Sequence, residues 1–84
     1  MAIIYKIKSF QTDPEDATKT LVGFTITNDK ENILFIDKSV TTGSNTDAQL
    51  ITAAQTAAQS EINAWTEEKE IVGKTWNPDT SELT

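Results

Sequence analysis

The apolar residues of this chain change their spacing once, and that change constrains the fold most strongly. In the first two of three segments between Ile3 and Val40 they recur at every second position, which is the period of a β-strand with one buried face, and in the third they occupy both faces of a strand. From Ile51 to Trp65 they recur at every third or fourth position, which is the period of an α-helix. This order predicts a small α+β domain in which one long helix packs on an antiparallel three-stranded meander.

The three strands are predicted over residues 3–10, 20–28 and 33–40. Residues 11–19 contain proline and three acidic side chains, so we interpret them as an exposed acidic loop. Residues 28–32 are polar and have a length typical of a hairpin turn between two antiparallel strands.

The third strand is apolar on both faces, unlike the second, whose apolar residues share one face. Leu34, Ile36 and Val40 lie on one side of it, and Ile33 and Phe35 lie on the other. The side with three apolar residues is expected to join the core with Val22, Phe24 and Ile26. Ile33 and Phe35 are then expected near the surface, with Ile4 as a neighbour, in an apolar patch of the kind that marks an interface.

The helix is predicted from Asp47 to about Glu68. Thr46 and Gln49 have the spacing of a capping box at its start. Its core stripe is predicted to consist of Ile51, Ala54, Ala58, Ile62 and Trp65. The alanine-rich middle allows close docking on the sheet or on a second helix, and docking on the sheet of the same chain is the preferred interpretation. The glutamates at the end of the helix face the negative end of its dipole, so the last turn is expected to fray.

The chain after the helix allows two interpretations. Residues 71–76 fit a short fourth strand or an extended return past the helix end, and residues 81–84 are predicted to be a loose tail of a single domain spanning residues 1–84. Trp76 either plugs the bottom of the core, which is the preferred interpretation, or anchors a partner. Pro78, in the following turn, is a candidate contact beside it.

Composition excludes most catalytic chemistry. The 84 residues include 13 acidic residues and seven lysines, a net charge of -6, and no arginine, histidine or cysteine. Disulfides, thiolate chemistry, the usual zinc sites and Ser–His nucleophile pairs are therefore absent. The carboxylates cluster over residues 13–16 and 67–70, where they are expected to be solvated and lack the ligand spacing of a calcium loop. We predict no enzyme activity, no catalytic residue, no cofactor and no metal.

The same composition bears on partners and location. An acidic chain without arginine is a poor ligand for phosphates, so no direct nucleic-acid binding is expected. No run approaches the about 20 apolar residues of a membrane span, and the start lacks the pattern of a leader peptide. We therefore expect no membrane contact and a location in the cytoplasm.

Over most of its length, with two Thr-rich strands after the first, the chain resembles small uncharacterised proteins of tailed bacteriophages, among them phages of cyanobacteria. The opening Met1 to Ile7 fits a Met-Ala-x-x-Tyr-x-Ile strand. Ile62 and Trp65 form an Ile-x-x-Trp pair in the helix, and Val72 to Pro78 is similar to the end of these proteins. The resemblance implies a phage accessory gene product, located in the host cytoplasm or the assembled virion.

These observations favour a non-enzymatic function through protein–protein contacts. A core this small often depends on oligomerisation or a partner. The leading hypothesis is a capsid, connector or tail component that binds other phage structural proteins or copies of itself, through the candidate contacts Ile33, Phe35, Trp76 and Pro78. The alternative is an acidic inhibitor that acts as a decoy for the nucleic-acid-binding site of a host enzyme, through the clusters at residues 13–16 and 67–70. A third interpretation is a monomer whose acidity serves only solubility.

Overall fold

The protein is a three-stranded meander with one helix on its inner face. The structure, a computed structural model, describes residues 2–84, so the part of the opening motif at Met1 lies outside the described residues. The elements are β1 (Ile4–Asp13), β2 (Asp16–Thr27), β3 (Ile33–Thr41), α1 (Asp47–Lys69), β4 (Trp76–Asn77) and β5 (Glu82–Leu83). The first three strands are antiparallel in the order β1-β2-β3, and the last two form a separate pair. The predicted fold class is confirmed.

The core lies between α1 and the sheet. Val22, Phe24 and Ile26 of β2 are fully buried, which confirms the predicted inner face of this strand. Ile36 of β3 and Trp65 of the helix complete the core with Ala54, Ala58 and Ile62, and Leu50 is buried at the helix start. Leu34 and Val40 pack against this cluster, so the side of β3 with three apolar residues does face the helix.

The prediction of a loop over residues 11–19 was wrong. β1 continues to Asp13 and β2 begins at Asp16, so the connection is a tight turn at residues 14–15. The carboxylate of Asp13 accepts a hydrogen bond from the backbone N–H of Glu15 at 2.9 Å, and that of Asp16 accepts one from Thr18 at 3.0 Å. Aspartate and proline do mark a turn here. The flanking residues nevertheless continue the two strands, because they include threonines, whose β-branched side chains favour extended backbone.

A β-bulge at Lys8 changes the faces of β1. Ile7 pairs with Phe24 and Ser9 pairs with Gly23, so Lys8 is the extra residue. Beyond the bulge Phe10 pairs with Val22 and therefore lies on the inner face together with Ile7, where strict alternation would have put it outside. Both side chains stay partly exposed, because α1 packs mainly on β3 and leaves the β1 side of the inner face uncovered.

The start of α1 has the predicted capping box. The hydroxyl of Thr46 accepts a hydrogen bond from the backbone N–H of Gln49, whose side chain accepts one from the Thr46 N–H. Ala54 and Ala58 are fully buried against the sheet, which confirms the docking interpretation. The stripe differs from the prediction at one point: Leu50 is buried and Ile51 is only partly buried.

The end of α1 is held by the turn between β2 and β3. The ammonium group of Lys30 donates hydrogen bonds to the backbone oxygens of Lys69, Glu70 and Val72, at 3.3, 3.2 and 2.9 Å. A cation at the carbonyl end of a helix is favourable for its dipole. The charge of Lys30 therefore counteracts the unfavourable effect of the glutamates on the helix dipole, which was expected to make the last turn of α1 fray.

The chain after the helix forms a C-terminal arm, residues 70–84, in which every residue is exposed. Its strands β4 and β5 pair antiparallel, with Trp76 opposite Leu83 and Asn77 opposite Glu82. The short fourth strand considered for residues 71–76 does not form there: residues 71–73 are turn, and β4 overlaps the predicted range only at Trp76 and pairs within the arm. Residues 81–84, predicted to be a loose tail, contain β5. The molecule is elongated, with extents of 57, 20 and 17 Å.

Candidate functional site

The face of the sheet opposite α1, its outer face, carries three exposed apolar side chains. We call this group the outer patch: Ile4, Ile33 and Phe35, which are 53, 55 and 64 % exposed. The placement of Ile33 and Phe35 at the surface confirms the prediction from the uneven faces of β3. The predicted neighbour, Ile4, is also on this face.

Strand register makes the outer patch continuous. Ile4 and Ile33 are both paired with Thr27, one from each side, so they flank it in a single row across the sheet. Phe35 lies in the next row, opposite Thr25, with Lys6 beyond it. Adjacent strands are about 4.8 Å apart, so the two isoleucines lie about 10 Å apart across a small threonine.

Two lysines border the outer patch. The ammonium nitrogen of Lys8 lies 5.5 Å from the centre of the Phe35 ring, within cation–π range, and 3.0 Å from the carboxylate Oδ1 of Asp37. Lys6 forms no ion pair within residues 2–84. The patch therefore combines apolar surface with positive charge, on a chain whose net charge is -6.

The C-terminal arm is a second exposed surface. Trp76 and Leu83 are a cross-strand pair, so they share one face of the hairpin, and they are 58 and 42 % exposed. Asn77 and Glu82 share the other face. The arm extends past the helix end, so Trp76 does not plug the core. This finding corrects the preferred interpretation. Pro78 follows in the exposed turn of the hairpin.

The structure thus divides the four predicted contact residues between two surfaces. Ile33 and Phe35 belong to the outer patch, and Trp76 and Pro78 belong to the arm. Leu83, which shares a face with Trp76, is a candidate contact that was not predicted from the sequence, and the arm also exposes Ile71 and Val72. The Asn-Pro dipeptide marks a turn between Trp76 and Leu83, but a turn marker alone does not specify that these two residues pair.

The two acidic clusters do not form one surface. Residues 13–16 make the turn at one end of β2, whereas residues 67–70 lie at the helix end that Lys30 contacts, next to the opposite end of β2. Twelve extended residues span about 40 Å, which separates the clusters by roughly that distance. Within them, the side chains of Asp13, Asp16 and Glu68 accept hydrogen bonds from nearby groups.

Hydrogen bonds explain the titration of the acidic turn. The Ser39 hydroxyl donates to Asp13 at 2.6 Å, and together with the Glu15 N–H it holds the pKa of Asp13 below its ordinary 3.8. The hydroxyl and N–H of Thr18 lower the pKa of Asp16 in the same way. Both carboxylates are therefore stabilised in the ionised form, which is unsuited to a general acid at neutral pH.

Other parts of the surface offer little chemistry. Among residues 2–84 no three aspartate or glutamate side chains converge as a cation site would require. A shallow depression at the start of α1 is lined by Ala48, Gln49, Thr52 and Ala53, none of which titrates. The outer patch and the arm are thus candidates for function, and a third exposed apolar surface lies on the β1 side of the inner face, where Ile7 and Phe10 are 46 and 40 % exposed.

Comparison with models of known protein families, with curated proteins and with solved structures finds no match for this chain. Within residues 2–84, α1 is the one long helix, and it is not apolar enough to cross a membrane.

Proposed function

We propose that this protein has a non-enzymatic function and acts through protein–protein contacts made by the outer patch. The observation that carries the proposal is the joint exposure of Ile4, Ile33 and Phe35 on the face of the sheet that α1 leaves uncovered. Burial of apolar surface stabilises a complex by about 25 cal/mol per Å², so a continuous group of large side chains is a source of binding energy. Grouped apolar exposure of this kind marks an interface more often than scattered residues do.

The biological setting that we propose is a tailed phage. The resemblance of the chain to small phage proteins supports a structural or accessory role, in the capsid, the connector or the tail. The test is mass spectrometry of purified virions of the phage that encodes the chain. We expect the protein in the particle at a defined copy number, and its absence from the particle would remove the structural version.

The role of the outer patch is tested in the same particles. We expect Phe35→Asp to lower the number of copies per virion, because a buried carboxylate without a partner is costly at an interface. Thr41→Asp is the matched control, since it places the same charge on an exposed position of the same strand, outside the patch. Equal incorporation of a folded Phe35→Asp protein and the control would refute the proposal.

The decoy hypothesis needs a different surface. A protein that mimics nucleic acid presents one extended acidic face, and here the two acidic clusters lie at opposite ends of β2. No contact or charge cluster of residues 2–84 favours this alternative over the outer patch. A pull-down from host lysate at low and at high salt tests it, because a decoy would capture a stoichiometric partner only at low salt.

A further inference from the structure

We propose that the C-terminal arm of one copy docks on the outer patch of a second copy, so that the protein assembles head to tail. This inference rests on the proposed function, because it uses the same patch and names its occupant. Docking would bury Trp76 and Leu83 of the arm against Ile33 and Phe35 of the next copy.

The first argument is that the arm is an amphipathic hairpin without a surface to cover it. Trp76 and Leu83 lie side by side on one face, Asn77 and Glu82 lie on the other, and all four are exposed. Isolated two-stranded hairpins are marginally stable in water, and this one has strands of only two residues. A hairpin with an unburied tryptophan gains most from a partner that accepts its apolar face.

The second argument is charge complementarity. The arm contains three acidic side chains, Glu70, Asp79 and Glu82, and one basic side chain, Lys74. The outer patch is bordered by the Lys8–Asp37 ion pair, which carries no net charge, and by Lys6, which has no ion-pair partner within residues 2–84 and makes the border basic. An acidic hairpin with an apolar face thus matches an apolar patch with a basic border, both in charge and in polarity.

The third argument is that the arm and the patch of one copy lie on different sides of the molecule. α1 packs on the inner face of the sheet and the arm continues from its end, whereas the patch is on the outer face. Reciprocal exchange of arms between two copies would be two-fold symmetric, but because the arm and the patch face different sides of one copy we propose the one-directional, heterologous contact. Each copy would retain one unused surface, and assembly would continue into a ring or a filament. A wild-type mass that stops at that of a dimer would indicate the reciprocal contact and overturn the head-to-tail arrangement.

The experiment uses two variants that each block one surface. Phe35→Asp disables the patch and keeps the arm, and Trp76→Asp disables the arm and keeps the patch. By sedimentation velocity we expect the wild-type mass to increase with concentration beyond that of a dimer, while each variant alone stays at 9.3 kDa. An equimolar mixture of the two variants is expected to form a 1:1 dimer of twice that mass and nothing larger, because only one productive contact remains.

The control variants place the same charge on the same two surfaces, but outside the proposed contacts. Thr41→Asp on the outer face and Thr80→Asp in the exposed turn of the arm should assemble as wild type does. Far-UV circular dichroism of all four variants verifies that the meander and the helix persist. Raising the salt concentration should weaken the assembly, because exposed charges are screened.

Several results would overturn this inference. If Phe35→Asp abolishes assembly and Trp76→Asp does not, the patch binds a second patch. If both variants are monomeric and their mixture stays monomeric, the arm and the patch do not bind each other. If the wild type is monomeric at every concentration, self-assembly is refuted, while copy numbers in virions still test the proposed function separately.

Discussion

The ammonium nitrogen of Lys8 lies 3.0 Å from Oδ1 of Asp37, although the two residues belong to β1 and β3 and β2 runs between them. The ion pair crosses β2 at Gly23, where a side chain would occupy its path: a Cβ built there would lie 2.5 Å from Asp37 Oδ1 and 3.0 Å from the Cε atom of Lys8. The glycine thus lets Lys8 reach across the sheet and stand over the ring of Phe35.

We expect Gly23→Ala to destabilise the protein, because the new Cβ would collide with Oγ of the half-buried Ser9 as well as with the side chains of Asp37 and Lys8. Loss of the exposed ion pair accounts for only about 0–1 kcal/mol of the cost. The coupling between Lys8 and Asp37 should disappear. Double-mutant cycles of Lys8→Ala and Asp37→Ala, measured by urea unfolding with glycine and with alanine at position 23, check this. Undiminished coupling in the alanine background would show that the path over Gly23 is irrelevant.

The two tryptophans should respond to substitution in opposite ways. Trp65 is 8 % exposed in the core, and Trp76 is 58 % exposed in the arm. Trp65→Ala is expected to cost about 3–5 kcal/mol, the usual range for a buried aromatic side chain, whereas Trp76→Ala should change the stability by less than about 0.5 kcal/mol. Urea unfolding followed by circular dichroism measures both. Similar losses in the two variants would show that the arm packs on the core.

The elements that were predicted correctly are those with a long periodic pattern. Three strands and α1 follow from the positions of their apolar residues, and the capping box placed the helix start at the right residue. The bulge at Lys8 has no such signal, since neither Lys8 nor Ser9 has an unusual backbone preference. It is set by the pairing of β1 with β2, and so the inner position of Phe10 could not be predicted from alternation.

Lys30 should hold the last turn of α1 in place. Lys30→Met keeps most of the aliphatic chain but removes the charge and the donors to three backbone oxygens, so we expect a loss of about 0.3–1 kcal/mol. Amide hydrogen exchange at residues 66–72 should accelerate, with little change at the helix start. Lys74→Met, which removes the same charge from the arm, is the control, and an equal effect of both substitutions would exclude a local role for Lys30.

The acidic turn gives a pH prediction with a defined sign. The hydroxyl of Ser39 is the main cause of the lowered pKa of Asp13, so Ser39→Ala should raise that pKa toward 3.8. Asp16, whose pKa is lowered by Thr18, should titrate as in the wild type. NMR titration of both carboxylates provides the measurement and its internal control. An unchanged Asp13 titration would mean that the Ser39 contact does not persist in solution.

The same shift links stability to pH. Because the folded-state pKa of Asp13 lies below 3.8, its contribution is fully present well above 3.8 and is lost as the pH falls through the folded pKa. The stability difference between the wild type and Asp13→Asn should therefore be constant near neutral pH and disappear in strong acid. A difference that persists at the lowest pH would point to an effect of the asparagine itself.

The candidate site was predictable in part. Ile33 and Phe35 were placed at the surface by comparing three apolar residues on one side of β3 with two on the other, and the structure agrees. Whether Trp76 is buried in the core depends on whether the chain turns back after the helix. The segment around Trp76 is short and polar, and it carries no pattern that predicts the direction of the chain. The pairing of Trp76 with Leu83 arises only once the arm folds as a hairpin.

Phe35→Asp should leave the fold intact and weaken association, whereas Phe24→Asp should unfold the protein. Phe24 is 1 % exposed and packs against α1, so a carboxylate at position 24 would be buried without a partner. Position 35 faces water, and a carboxylate there would lie near the ammonium group of Lys8. Thermal melts should place Phe35→Asp within a few degrees of the wild type, and light scattering should show reduced mass at high concentration. If Phe35→Asp also unfolds, Phe35 belongs to the core and the outer patch does not exist as a binding surface. If it neither unfolds nor changes the association of the wild type, the patch is exposed without the role proposed for it.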